Sequence, residues 1–178
     1  MAYFYSPFRK VYKGKQSAKK PACPFCDPEI IRSQTIRHGK ALVENDSFYW
    51  MVNAYPKFEG HTMVVPKRHI TKLGEEQPQE ILDREEMILY ATQTLKKVFP
   101  KSGFEVFLQT GAASESSLAH LHWHVVPASP TDALRSFDKL GQFYTVEPGK
   151  ERVIIFPLKI KRSPKQLIAA LSRATKRR

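Results

Sequence analysis

Apolar and polar positions fall into short blocks along this chain, and the spacing within each block predicts an element. Segments 40–45, KALVEN, and 48–55, FYWMVNAY, carry the β-branched and aromatic residues that favour strands, with the turn formers Asn45, Asp46 and Ser47 between them. After a loop over 56–60, HTMVVP at 61–66 reads as another strand, which Pro66 ends. From 79 to 99 the period changes: Ile81, Ile88 and Leu95, with Leu82, Ala91 and Val98, recur at helical spacing until Pro100 stops them. This is a long amphipathic helix. FEVFLQTG at 104–111 is a strand, and AASESSLA then makes a connection longer than a hairpin needs. HLHWHVVP at 120–127 and RVIIFPLKI at 152–160 read as strands. A final helix opens at Ser163 and Pro164, with Gln166 in the capping-box position and Leu167, Ile168 and Leu171 as its apolar side. Strands outnumber helices, so the class is α+β with a largely antiparallel sheet.

The block at 120–127 changes the picture from fold to chemistry. Side chains alternate across a strand, so His120, His122 and His124 line one face and Leu121, Trp123 and Val125 the other. Trp123 is then core beneath the helix and not a platform for a base. The chain has six histidines in all, and half of them on one face points to a catalytic or metal site.

Composition bounds the rest. With 178 residues the chain suits one domain with extensions, the first of them a basic N-terminal arm at 1–22. No apolar run is long enough for a membrane span, and the N-terminus lacks the pattern of a secretory signal, so a cytoplasmic protein is expected. A formal net charge of +12 implies attraction to polyanions, and weak nucleic-acid contact through the basic tails is expected. The two cysteines, Cys23 and Cys26, sit in CPFC. In a chain read as intracellular this pair suggests a metal or redox role, and because it follows a basic arm and not a strand, metal is favoured.

The pattern HLHWHVV resembles the signature of the histidine triad superfamily, nucleotide hydrolases and transferases acting at an α-phosphorus. Upstream, VNAYPKFEGHTMVVPKRHI resembles the family's nucleotide-side segment, with Asn53 and the turn from Pro66 to His69 at its positions. FLQTG resembles the strand whose Gln stands eleven residues before the triad, here Gln109, and Ser117 stands three before it, where relatives carry a phosphate-binding hydroxyl. Ser114 and Ser116 have no such register. The resemblance covers about 23–130 and implies an HIT-like fold, with 23–130 as the catalytic domain and 131–178 as an extension packed on that domain and ending in a basic tail.

It also implies a mechanism. His122 attacks the α-phosphorus to give a nucleotidyl-histidine, and His124 steadies the phosphate and helps protonate the leaving group. Asn53 meets the ribose, while Gln109 and Ser117 bind phosphate. Cys23, Cys26, His69 and His120 resemble the zinc set of several branches, a structural site with four protein ligands. His120 is therefore assigned to the metal. A histidine at the third triad position favours a hydrolase of dinucleoside polyphosphates or nucleoside phosphoramidates. The alternatives are a nucleotidyltransferase or phosphorylase with phosphate as acceptor, and a nucleic-acid deadenylating or binding protein. Relatives imply a homodimer. His61 is open between a site residue and the start of a strand, and His38 is expected at the surface.

Overall fold

A four-stranded antiparallel sheet carries the site, and the two longer helices cover one of its faces. The computed structural model describes residues 4–5, 23–56, 59–110, 118–128, 156–157 and 160–175. In chain order the strands are β1 (Phe4–Tyr5), β2 (Arg37–His38), β3 (Ala41–Leu42), β4 (Phe48–Val52), β5 (Thr62–Pro66), β6 (Gly103–Leu108), β7 (Trp123–Ala128) and β8 (Phe156–Pro157). The helices are α1 (Pro28–Gln34), α2 (Pro78–Val98) and α3 (Pro164–Thr175), and a 3₁₀ turn at Pro24–Cys26 precedes α1. The main sheet has the order β4-β5-β7-β6, β2 pairs with β3, and β1 pairs in parallel with β8. The expected α+β class with a largely antiparallel sheet is what the fold shows.

Alternation divides the sheet's side chains between two layers. Phe48, Trp50, Val52, Val64, Trp123 and Val125 face the helices, where they join Met87, Ala91 and Leu95 of α2 with Leu167 and Leu171 of α3. Met51, Met63 and Val65 face the other way and pack with Phe25. Trp123 is in the helix-side core as expected, edge-on to Phe48 at 6.0 Å, with the Arg84 guanidinium 4.8 Å from its ring centre.

The long helix runs within a residue of its expected span. Pro78 opens it, and the Glu80 carboxylate accepts the Gln77 N–H at 2.7 Å. That carboxylate also takes two bonds from Arg68, at 2.9 and 2.7 Å, and the guanidinium holds it well below the usual carboxylate range. The capping box at α3 is present: Gln166 Oε1 accepts the Ser163 N–H at 2.8 Å, and Ser163 Oγ accepts the Gln166 N–H at 3.3 Å.

Three expectations need correction. Segment 40–45 contributes only β3, in a hairpin outside the main sheet, because Val43 bonds Ile36 on one side and Trp50 on the other and so bridges the two. The histidine strand begins at Trp123: the Leu121 N–H goes to the Ile70 carbonyl at 2.8 Å, which takes 120–122 out of the ladder. Helix α1 is a further element that the apolar pattern did not predict; Asp27 caps it, accepting the Glu29 N–H at 2.8 Å. Of 152–160 only Phe156–Pro157 is described as strand, and the connection at 112–117 lies outside the described residues.

The loop before β5 is tied to the C-terminal extension. Glu59 accepts the Lys161 and Arg162 backbone N–H groups at 2.7 and 3.2 Å and the Arg162 guanidinium at 2.9 Å. Beside it Gly60 has φ +78°, and a Cβ there would lie 2.6 Å from Pro127 and 2.9 Å from Phe99. Gly60→Ala combines left-handed backbone strain with overpacking and is expected to cost about 2 kcal/mol, read as a lowered denaturation midpoint. An unchanged midpoint would show that the loop yields.

Candidate functional site

On the face of the sheet away from α2 and α3, the 3₁₀ turn, the loop after β5 and the segment running into β7 bring thiol and imidazole groups together. His120 is nearly inaccessible to solvent, and its Nε2 lies 3.0 Å from the Pro66 carbonyl oxygen. A carbonyl only accepts, so Nε2 carries the proton and Nδ1 keeps the lone pair. That Nδ1 faces Cys23 Sγ at 3.3 Å and Cys26 Sγ at 3.6 Å, and Cys26 Sγ lies 3.4 Å from His69 Nδ1.

All four donor atoms lie within 4.8 Å of one another. Donors about 2.0–2.3 Å from a tetrahedral ion stand roughly 3.5 Å apart, so the cluster has the dimensions of such a site. Its chemistry agrees. Burial, then the His69 and His122 rings nearby, push the His120 pKa down to about 4, so at neutral pH its lone pair is available. Burial, then the neighbouring Cys23, push the Cys26 thiol up, so a thiolate there calls for a cation. Two thiolates and two imidazoles suit a thiophilic tetrahedral ion. The four residues expected to form a metal set are brought together.

His122 is held by the chain that holds His120. Its Nδ1–H donates to the His120 carbonyl at 2.8 Å, which leaves the lone pair on Nε2. Burial lowers its pKa, so the ring is neutral at pH 7, the form that attacks an electrophile. Phe25, from between the two cysteines, sets its ring edge against His122 at 5.0 Å and against His120 at 5.7 Å.

His124 lies beside His122, ring centres 4.7 Å apart, and stacks on Phe107 at 4.7 Å with the planes 26° apart. Its Nδ1 is 2.8 Å from His61 Nε2, so one proton sits between the two rings. His61 is buried, and Asn53 Nδ2 is 3.4 Å from the same Nε2. Asn53 also caps a turn, its Oδ1 accepting the Tyr55 N–H at 2.8 Å, while its N–H donates to the His61 carbonyl at 3.1 Å. Gln109 is half-buried and follows the last pair of the β6–β7 ladder, Leu108 opposite Trp123. Ser117 lies outside the described residues, and so do Ser114 and Ser116. His38 is exposed on β2, away from this group.

The site includes residues that pattern reading missed or left open. His61 belongs to it. Phe107 is the cross-strand partner of His124, a relation visible only once the register is known, and Phe25 had a signal in its place between two candidate ligands.

Comparison with known proteins gives consistent results. The family model "HIT domain" matches residues 35–131. The chain is 31% identical over 137 residues to AP-4-A phosphorylase of Mycobacterium tuberculosis (strain ATCC 25618 / H37Rv), covering 72% of this chain and 69% of that protein. It is 30% identical over 81 residues to bis(5'-nucleosyl)-tetraphosphatase (asymmetrical) of Schizosaccharomyces pombe, covering 46% of this chain and 44% of that one. Among solved structures, a Hit-like protein involved in cell-cycle regulation from Bartonella henselae superposes with TM-score 0.58 at 21% identity, covering 89% of this chain and 99% of that chain. A Zn-bound histidine triad family protein from Mycobacterium smegmatis superposes with TM-score 0.51 at 22% identity, covering 88% and 98%. At these identities the superpositions speak for the fold.

Proposed function

This chain belongs to the HIT domain family, and from that premise we propose that it hydrolyses dinucleoside polyphosphates or nucleoside phosphoramidates at the α-phosphorus through a nucleotidyl-histidine. The observation that carries the reading is the hydrogen bond from His122 Nδ1 to the His120 carbonyl at 2.8 Å, which leaves Nε2 as an uncharged nucleophile. In this reading Nε2 forms a bond to phosphorus while the bond from phosphorus to the leaving oxygen or nitrogen breaks. His124 supplies the proton to the leaving group, and His61 fixes its tautomer across the 2.8 Å contact. Water then attacks the phosphorus, releases the mononucleotide and returns the proton to the histidine pair. Asn53 serves the ribose, and Gln109 and Ser117 bind phosphate oxygens.

Zinc is the ion that Cys23, Cys26, His69 and His120 suit, and the zinc-bound Mycobacterium smegmatis protein supports that choice. Held by these four residues, zinc would fix the backbone at His120 whose carbonyl orients His122, and would leave no open position for water. A second reading, transfer to inorganic phosphate, is favoured by the similarity to AP-4-A phosphorylase.

One experiment separates the two. Diadenosine tetraphosphate is incubated with the protein as phosphate is raised, and the adenylates are resolved. The hydrolase reading expects AMP with ATP whatever the phosphate concentration. ADP with ATP, formed only with phosphate, would establish the phosphorylase. No cleavage in either case would remove this substrate class.

A further inference from the structure

We infer that the surface formed by α1, the β2–β3 hairpin and the C-terminal end of α3 binds the sugar-phosphate backbone of nucleic acid, at a place separate from the histidine site. Hydrogen bonds gather basic residues there from three elements. The Arg37 backbone N–H donates to Ser172 Oγ, and Thr175 Oγ1 donates to the Arg37 carbonyl, each at 3.1 Å, which seats the hairpin against α3. The Arg37 guanidinium donates to the Arg32 carbonyl at 2.8 Å and to the Lys40 carbonyl at 3.2 Å, drawing α1 and the hairpin turn together. Arg173 follows Ser172. Past Thr175 the sequence adds Lys176, Arg177 and Arg178.

The charge on this surface is not cancelled. Lys67, Arg68, Arg84 and Arg162 are paired with Glu44, Glu80, Glu76 and Glu59. Among the described residues Arg32, Arg37, Lys40 and Arg173 have no carboxylate partner, and Glu29, a helical turn before Arg32, makes no ion pair with it. The carbonyls that orient the half-buried Arg37 are neutral, so they hold its guanidinium without cancelling its charge. Arg32, Lys40 and Arg173 are exposed.

Charge complementarity argues for a polyanion, and the lack of apolar groups selects which one. The large exposed hydrophobics among the described residues are Tyr55, Leu73, Ile81, Leu82, Leu89 and Val106, none of them on these three elements. A surface of cations without an apolar wedge suits a hydrated phosphodiester backbone better than a bilayer or an apolar protein groove. It also leaves the chemistry alone. The hairpin and α3 carry Lys40 and Arg173, and α3 packs on the face opposite His122 and His124 through Leu167 and Leu171; α1 alone reaches the site-face cluster, through Ile30.

The test is the double charge reversal Lys40→Glu with Arg173→Glu in the full chain, its fold checked by circular dichroism. Binding to a fluorescent oligonucleotide is measured across a salt series. Affinity is expected to fall at least about tenfold, and the slope of log affinity against log salt to shrink by about 2, one for each lost phosphate contact. Turnover of a small dinucleotide should be unchanged. A chain ending at Thr175 separates the folded surface from the tail. Wild-type affinity in the double variant, with binding abolished by the truncation, would overturn the proposal in favour of the tail alone. Tighter binding to phosphatidylserine vesicles than to the oligonucleotide, lost in the same variant, would overturn it in favour of a membrane.

Discussion

Replacing His122 with alanine is expected to lower turnover of a dinucleoside polyphosphate by about a thousandfold or more, with metal content and denaturation midpoint close to wild type. The size follows from the role: removing a covalent nucleophile eliminates the pathway and not just a stabilising contact. Stability should survive because the side chain donates one hydrogen bond, to the His120 carbonyl, and is not among the four metal donors. Acid quenching would destroy a phosphorus–nitrogen bond, so the intermediate should be sought by alkaline quench of wild type with labelled substrate. Label bound to wild type and absent from the variant would identify the residue. A purified variant that retains a tenth of wild-type turnover would mean that another group attacks.

Replacing Cys23 or Cys26 with serine should release the metal and lower the midpoint by roughly 10 °C, the equivalent of about 3–4 kcal/mol in a chain of this size. The loss is large because the site joins three separated parts of the chain: the turn at Pro24–Cys26, the loop holding His69 and the segment holding His120. Without the ion, His120 Nδ1 and the two thiols lose the cation that would join them, and His120 keeps only its bond to the Pro66 carbonyl. Elemental analysis of protein prepared without chelators, beside thermal denaturation, reads both effects. Wild type without zinc, or a serine variant with an unchanged midpoint, would remove the four-donor site from the account.

Local signals located most of this molecule. The period of α2 and the capping box of α3 are properties of neighbouring residues, and both were found within a residue or so. Helix α1 was missed although Asp27 and Pro28 form a start signal, because seven residues are too few to show a period. The expected strand over 120–127 failed at its beginning for a reason outside the segment: the Leu121 N–H finds its acceptor on Ile70, fifty-one positions away. The cysteine pair was legible by type and spacing, and His69 and His120 joined it only through the resemblance to a known family; the fold brings the four donor atoms within 4.8 Å of one another. His61 was not legible, since what makes it part of the site is a contact with a ring 63 positions further on.

One arrangement bears on anyone who would transplant this site. His120 turns its side chain to the thiols and its carbonyl to the His122 ring, and Phe25 of the thiol-bearing turn rests against both. The proposed metal donor and the proposed nucleophile thus share one stretch of backbone, residues 120–122. A designer who grafts only the triad onto another sheet would inherit imidazoles with no fixed aim. The portable unit is larger: the CPFC turn, the Pro66 carbonyl with His69, and 120–124 have to travel as one part. For the same reason chemical repair of a failed graft should begin at the cysteines and not at His122.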